Sequence, residues 1–111
     1  MNTLRNRVQL IGKLGANPEI KSLESNKKLA RFSIATNEVY RNSKGEKITD
    51  TQWHNIVAWG KNADMVEKYL EKGKDVAIEG KLINRNYTDK DGNKKYIIEI
   101  QMNEMLLMPK N

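Results

Sequence analysis

Apolar and polar positions alternate with period two along most of this chain, switch once to a period near 3.6, and then return to two. Val8-Gln9-Leu10-Ile11 predicts a first strand, closed by Gly12 and Gly15 with Asn17-Pro18 as a turn, and Ile20 and Leu23 continue it past a bend. After a turn at Ser25-Asn26-Lys27-Lys28, Leu29 to Val39 predicts a second strand, with Ala30, Phe32 and Ile34 on one face and Arg31 and Ser33 on the other. Asn42-Ser43-Lys44-Gly45 ends it, and Thr51 to Trp59, rich in β-branched and aromatic residues, predicts a third. Beyond Gly60, Ala63, Val66 and Tyr69-Leu70 share one helical face. Asn62 is the expected N-cap, with Asp64 in the first turn, Lys72 in the last and Gly73 at C′. Alternation resumes at Val76-Ala77-Ile78 and runs to about Tyr87, with Val76, Ile78 and Leu82 inward and Glu79, Lys81, Ile83, Arg85 and Tyr87 outward. Asp91-Gly92 marks a hairpin, Tyr96 to about Met102 a fifth strand, and Met105–Met108 a short apolar ending.

Three strands, one helix and two more strands, in a chain this short, suit a mainly β fold. They predict a five-stranded Greek-key OB barrel with one α-helix between strands three and four. Closing the sheet removes its exposed edges. A mixed open sheet under one helix is the alternative that the pattern alone leaves standing.

Composition narrows the chemistry. At 111 residues the chain fits one domain, placed at 1–108 with a short ending at 109–111. Cysteine is absent, which excludes disulfides and thiolate metal sites and fits a reducing compartment. One histidine cannot make a His-based metal cluster, and no paired carboxylates or Gly-rich phosphate loop stand out. No metal, cofactor or catalytic residue is therefore expected. No apolar run is long enough for a signal peptide or a membrane span, so the expected location is cytoplasmic.

Charge and aromatics point toward a ligand only together. Twenty bases against fourteen acids give +6, and most of the excess lies in residues 1–60, with ten bases against five acids. Such an excess suits an anionic partner but also an ordinary solvated surface. The aromatics are few (two Trp, four Tyr and one Phe), yet four fall where a core does not need them. Trp53 and Trp59 are an even number of residues apart on one strand and so share a face. Tyr87 ends a charged face after Arg85, and Tyr40 precedes Arg41 beside a polar loop. Aromatic rings stack on bases while neighbouring Lys and Arg meet the phosphates, and Tyr40–Arg41, Trp59-Gly60-Lys61 and Arg85-Asn86-Tyr87 supply that interleaving. Packing or a subunit contact would equally explain any one Trp. Phe32, Tyr69 and Tyr96 are left for an otherwise aliphatic core. His54, between apolar neighbours, reads as a satisfied buried or interface group rather than a catalyst.

Trp53-His54-Asn55-Ile56-Val57-Ala58-Trp59-Gly60-Lys61, taken with Val8-Gln9-Leu10-Ile11-Gly12-Lys13-Leu14-Gly15, Ile34-Ala35-Thr36-Asn37, Tyr69-Leu70-Glu71-Lys72-Gly73, Ile78-Glu79-Gly80-Lys81-Leu82 and Arg85-Asn86-Tyr87-Thr88-Asp89, resembles the bacterial single-stranded DNA-binding proteins of the homotetrameric OB-fold kind. The resemblance runs from about Asn6 to Met108. It implies sequence-independent binding and protection of single-stranded DNA in replication, recombination and repair, by a nucleoid-associated homotetramer without enzymatic activity. It implies base stacking at Tyr40, Trp53, Trp59 and Tyr87, with Tyr at 40 and 87 where Trp is common. Phosphate contacts are implied at Arg41, Lys61, Lys72 and Arg85, with Arg7 and Lys13 less closely matched, and a subunit contact at His54. Family members typically continue into a flexible linker with an acidic tip that recruits replication and repair proteins. Pro109-Lys110-Asn111 shows neither, so tail-mediated recruitment is not expected of this chain. An RNA-binding OB module, a protein–protein adaptor and a metal-dependent nuclease are the rival readings. Competition by RNA, failure to bind oligo(dT), or metal-dependent cleavage would distinguish them.

Overall fold

The computed structural model describes residues 5–108. Its elements are β1 (Val8–Leu14), β2 (Glu19–Ser22), a 3-10 turn (Glu24–Asn26), β3 (Lys28–Arg41), β4 (Lys47–Trp59), α1 (Lys61–Tyr69), β5 (Asp75–Thr88) and β6 (Lys94–Leu107). β1 pairs antiparallel with β5, β5 with β6, and β4 with β3; β6 runs parallel to β4 at Ile56–Ile100 and Val57–Gln101. β3 returns to β1 at Ile34–Leu14 and Ala35–Lys13 and closes the ring. Five strands thus form the predicted barrel, with the helix between its third and fourth, and the open-sheet alternative falls away. β2, the expected continuation of the first strand past a bend, pairs only with β3 and lies outside the ring.

The barrel closes on the apolar stripe that alternation marked. Ala30, Phe32 and Ile34 of β3 meet Ile56 and Ala58 of β4, Leu14, Val76 and Ile78, and Ile100 and Met102, while Ala63, Val66 and Leu70 seal one end. Burying one such aliphatic side chain is worth about 1.5–3 kcal/mol, and the ring supplies several. At Gly80 the backbone of β6 comes so close that a Cβ would collide with the Gln101 carbonyl. Just there the β5–β6 register slips, Glu79 pairing with Glu104 and Gly80 with Met102, so that Asn103 is the extra residue of a β-bulge. The bulge lets the expected apolar ending at Met105–Met108 continue β6 as far as Leu107.

Four expectations are corrected. Asn62 does not cap α1: its side chain donates to the Met102 carbonyl, and Gly60 precedes the helix without a side-chain cap. The helix ends at Tyr69, so Lys72 and Gly73 lie in the following loop, where Gly73 donates its N–H to the Leu14 carbonyl. Tyr69 and Tyr96 are not core residues, being 40% and 73% exposed. Leu82, expected inward, is also exposed. Tyr96 and Leu82 share a cause. β3–β4 and β5–β6 run on past the barrel as two-stranded ribbons, whose inward-facing side has no opposite wall. The radius of gyration, 16.3 Å, exceeds the roughly 13 Å of a compact chain this long for the same reason. The ending at 109–111 lies outside the described residues.

Candidate nucleic-acid interface

Thirteen consecutive β3–β4 pairs run without a slip from Leu29–Trp59 to Arg41–Lys47. An unbroken register keeps Trp53, Asn55, Val57 and Trp59 on one face of β4, beside Ala35, Ser33, Arg31 and Leu29 of β3. This is the outer face of the barrel, and both indoles are open to solvent. Trp53 lies against Gly15, where a Cβ would stand 2.6 Å from its Cη2 and Cζ3 carbons, so the absent side chain makes room for the ring. Ser33 donates from its hydroxyl to Asn55 Oδ1 at 3.2 Å.

Beside Trp53 a groove of about 560 Å³ runs between Gly15, Asn17, Arg31, Asn55, Ile97 and Glu99. Its floor carries a buried carboxylate. Glu99 is 3% exposed; its Oε2 accepts from Arg31 Nη1 at 2.6 Å, and Arg85 Nε stands 2.7 Å from Oε1. The second contact is within ion-pair range but off the hydrogen-bond direction, leaving Oε1 buried without a directed donor. Both guanidinium groups remain partly open to solvent. Through Glu99 the face continues onto β5, where Arg85 and Tyr87 stand on the same side of the ribbon, opposite Ile97 and Lys95.

The expected site residues do not all converge. Trp53, Trp59, Arg85 and Tyr87 share this outer face. Lys13 joins it beside Ala35, its ammonium 3.7 Å from Asp75. Lys72 comes near through its backbone, whose N–H is accepted by Asn17 Oδ1 at 2.8 Å. Lys61 opens α1 just after Trp59 and is exposed. Arg41 is exposed on the outer side of its ribbon, with Nη1 donating to the Gly45 carbonyl. Tyr40, opposite Ile48, lies on the other side of that ribbon from Trp53. Arg7 is drawn toward Glu79, at 3.6 Å. His54 stands on the inward side, half-buried, with Nε2 2.9 Å from Thr36 Oγ1. Arg31, Glu99 and Gly15 are site residues that sequence reasoning did not select. The signal for Glu99 was a lone acid inside the apolar run Ile97-Ile98-Glu99-Ile100.

Among the described residues no group of three acids or histidines is placed to hold a metal ion, and no helix is long and apolar enough to cross a membrane.

The comparisons agree with this geometry. The model of the single-strand binding protein family matches residues 5–108. Single-stranded DNA-binding protein 1 of Chlorobaculum tepidum is 44% identical over 93% of this chain and 64% of its own length. Single-stranded DNA-binding protein 1 of Xylella fastidiosa is 40% identical over 95% of this chain and 78% of its own. The chain thus spans somewhat less than two thirds of the first of these relatives. Among solved structures, Plasmodium falciparum SSB in complex with ssDNA superposes with a TM-score of 0.86 at 36% identity, covering 98% of this chain and all of that one. A deletion mutant of the single-stranded DNA binding protein from Thermus aquaticus gives 0.81 at 26% identity, covering 94% of this chain and half of that one. The chain belongs to the single-strand binding protein family.

Proposed function

We propose that this chain binds and protects single-stranded DNA without sequence preference, as a cytoplasmic, nucleoid-associated protein of replication, recombination and repair. The observation that carries the reading is the shared outer face of Trp53 and Trp59, continued through Arg31 and Arg85 to Tyr87. Rings spaced along a groove, with guanidinium groups between them, suit a strand whose bases stack while its phosphates are neutralised; such stacking is worth about 1–3 kcal/mol per base. Arg41, Lys61, Lys72 and Lys13 extend the positive margin. Tyr40 would receive DNA only where the strand passes to the other side of the β3–β4 ribbon. Binding of this kind breaks no bond, and an enzymatic role is not part of the proposal.

The assembly proposed is a homotetramer. The outer face of β1, β5 and β6 exposes Ile11 and Leu106 around a groove of about 750 Å³, and the second edge of β1 from Val8 to Gly12 carries no strand among the described residues. A free edge beside an apolar patch suits a second copy related by a twofold axis. A closed tetramer of this kind needs a second contact as well, and His54 is the residue we propose for it.

Oligo(dT) titration tests the binding. Both tryptophans stand on the proposed face, so their fluorescence should be strongly quenched on binding and recover as salt rises. Unchanged fluorescence together with no retention on a filter would refute the reading.

A further inference from the structure

Glu99 is a buried acid in a groove proposed to receive a polyanion. Left alone there it would repel the ligand, and burying it costs free energy unless its partners are well placed. Its partners are two arginines from different strands, Arg31 of β3 and Arg85 of β5, held at 2.6 and 2.7 Å. Neither would otherwise be fixed, since both guanidinium groups reach partly into solvent. The same carboxylate therefore ties the tryptophan-bearing side of the groove to the ribbon that carries Tyr87.

We propose that Glu99 is a positioning residue for single-stranded DNA. It holds Arg31 by a hydrogen bond and Arg85 by ion pairing before the strand arrives, so that phosphates and base edges meet donors already in place, with Arg31 a DNA-contacting residue in its own right. The inference rests on the single-strand-binding reading above. Two opposing effects follow from replacing the acid. Removing its charge strengthens attraction to a phosphate about 10 Å away, on the far side of the guanidinium groups, by about threefold at an effective dielectric near 20 with salt screening. Releasing two ordered arginine side chains weakens binding by about fivefold each. Pre-organisation outweighs charge.

Glu99→Gln keeps the shape and removes the charge. At moderate salt its affinity for oligo(dT) should fall roughly five- to tenfold. The slope of log K against log[salt] should meanwhile steepen by about 0.7, one more cation being left free to release its counterion. A purely structural role would lower the stoichiometry at saturation and leave the slope unchanged. Wild-type affinity or tighter binding in Glu99→Gln would overturn the proposal, and so would weaker binding without a steeper slope. Should Glu99→Gln fail to fold, Arg31→Lys carries the test, since it keeps the charge and loses the fork. About fivefold weaker binding at unchanged slope is expected of it, and unchanged affinity would overturn the proposal. The wild-type titration separates the two ideas: if the wild type does not bind oligo(dT), the function itself fails, whatever Glu99 does.

Discussion

Trp53 depends on a residue with no side chain. Its indole lies over Gly15, with no space left for even a methyl group between them. Gly15→Val should therefore lift the ring off the barrel while leaving the core, on the other side of the sheet, intact. We expect oligo(dT) affinity to fall by about 1–2 kcal/mol, close to the loss from Trp53→Ala, with little further loss when the two are combined. Additive losses in that double-mutant cycle would separate Gly15 from the stacking position. Sequence marked Gly15 as a turn residue and Trp53 as a stacker. That one exists to seat the other depends on the β1–β2 turn crossing the face of β4, a contact between residues far apart in the chain.

At the scale of elements, α1 is fastened to the barrel by more than its apolar face. The Lys28 ammonium at the start of β3 stands 2.8 Å from Asp64 and 2.6 Å from Glu67. Hydrogen bonds first to Asp64 and then to Glu67 hold its pKa above the ordinary 10.5. A folded-state value above the unfolded one means that this tie contributes fully below the unfolded value and is lost as pH rises through the folded one. Between about pH 9.5 and 12 the melting temperature of the wild type should therefore fall further than that of Lys28→Met, which lacks the tie throughout. Parallel declines would show that the pair adds nothing. The helix itself was legible as period 3.6 between two period-two segments. Its ends were not, because Asn62 found a partner in the β6 backbone rather than in its own first turn. Local capping rules cannot foresee a competitor supplied by another strand.

For the whole molecule, the proposed twofold contact and the proposed DNA face make separable demands on different surfaces. Ile11 and Leu106 lie outside β1, β5 and β6, away from the tryptophan face. Ile11→Asp places a charge in the proposed twofold contact and should shift sedimentation toward smaller species, and a charged substitution at His54 should do so at the second contact. An Ile11→Asp protein that sediments as the wild type does would remove this surface from the assembly. Salt offers a separate check on the DNA face. With about five phosphates neutralised per subunit, affinity should drop about a hundredfold between about 50 and 200 mM salt. A flat salt response would mean that stacking acts without phosphate contacts.

The sequence by itself determined the succession of strands along the chain, the helix between the third and fourth barrel strands, the inward stripe from Ala30 to Ile34, and the common face of Trp53 and Trp59. These follow from periodicity, which alternation of side chains along a regular strand transmits without knowledge of neighbours. The net charge of +6 set only the sign of a partner. Tertiary structure decided where the inward faces lose their opposite wall, exposing Leu82, Tyr96 and Ile98. It also put Tyr40 on the far side of its ribbon, and it gathered Arg31, Arg85 and Glu99, from three strands, into one groove. Those outcomes depend on strand length beyond the barrel and on pairing between distant segments. Both are set by the packed whole, because a side chain's burial depends on what stands across from it.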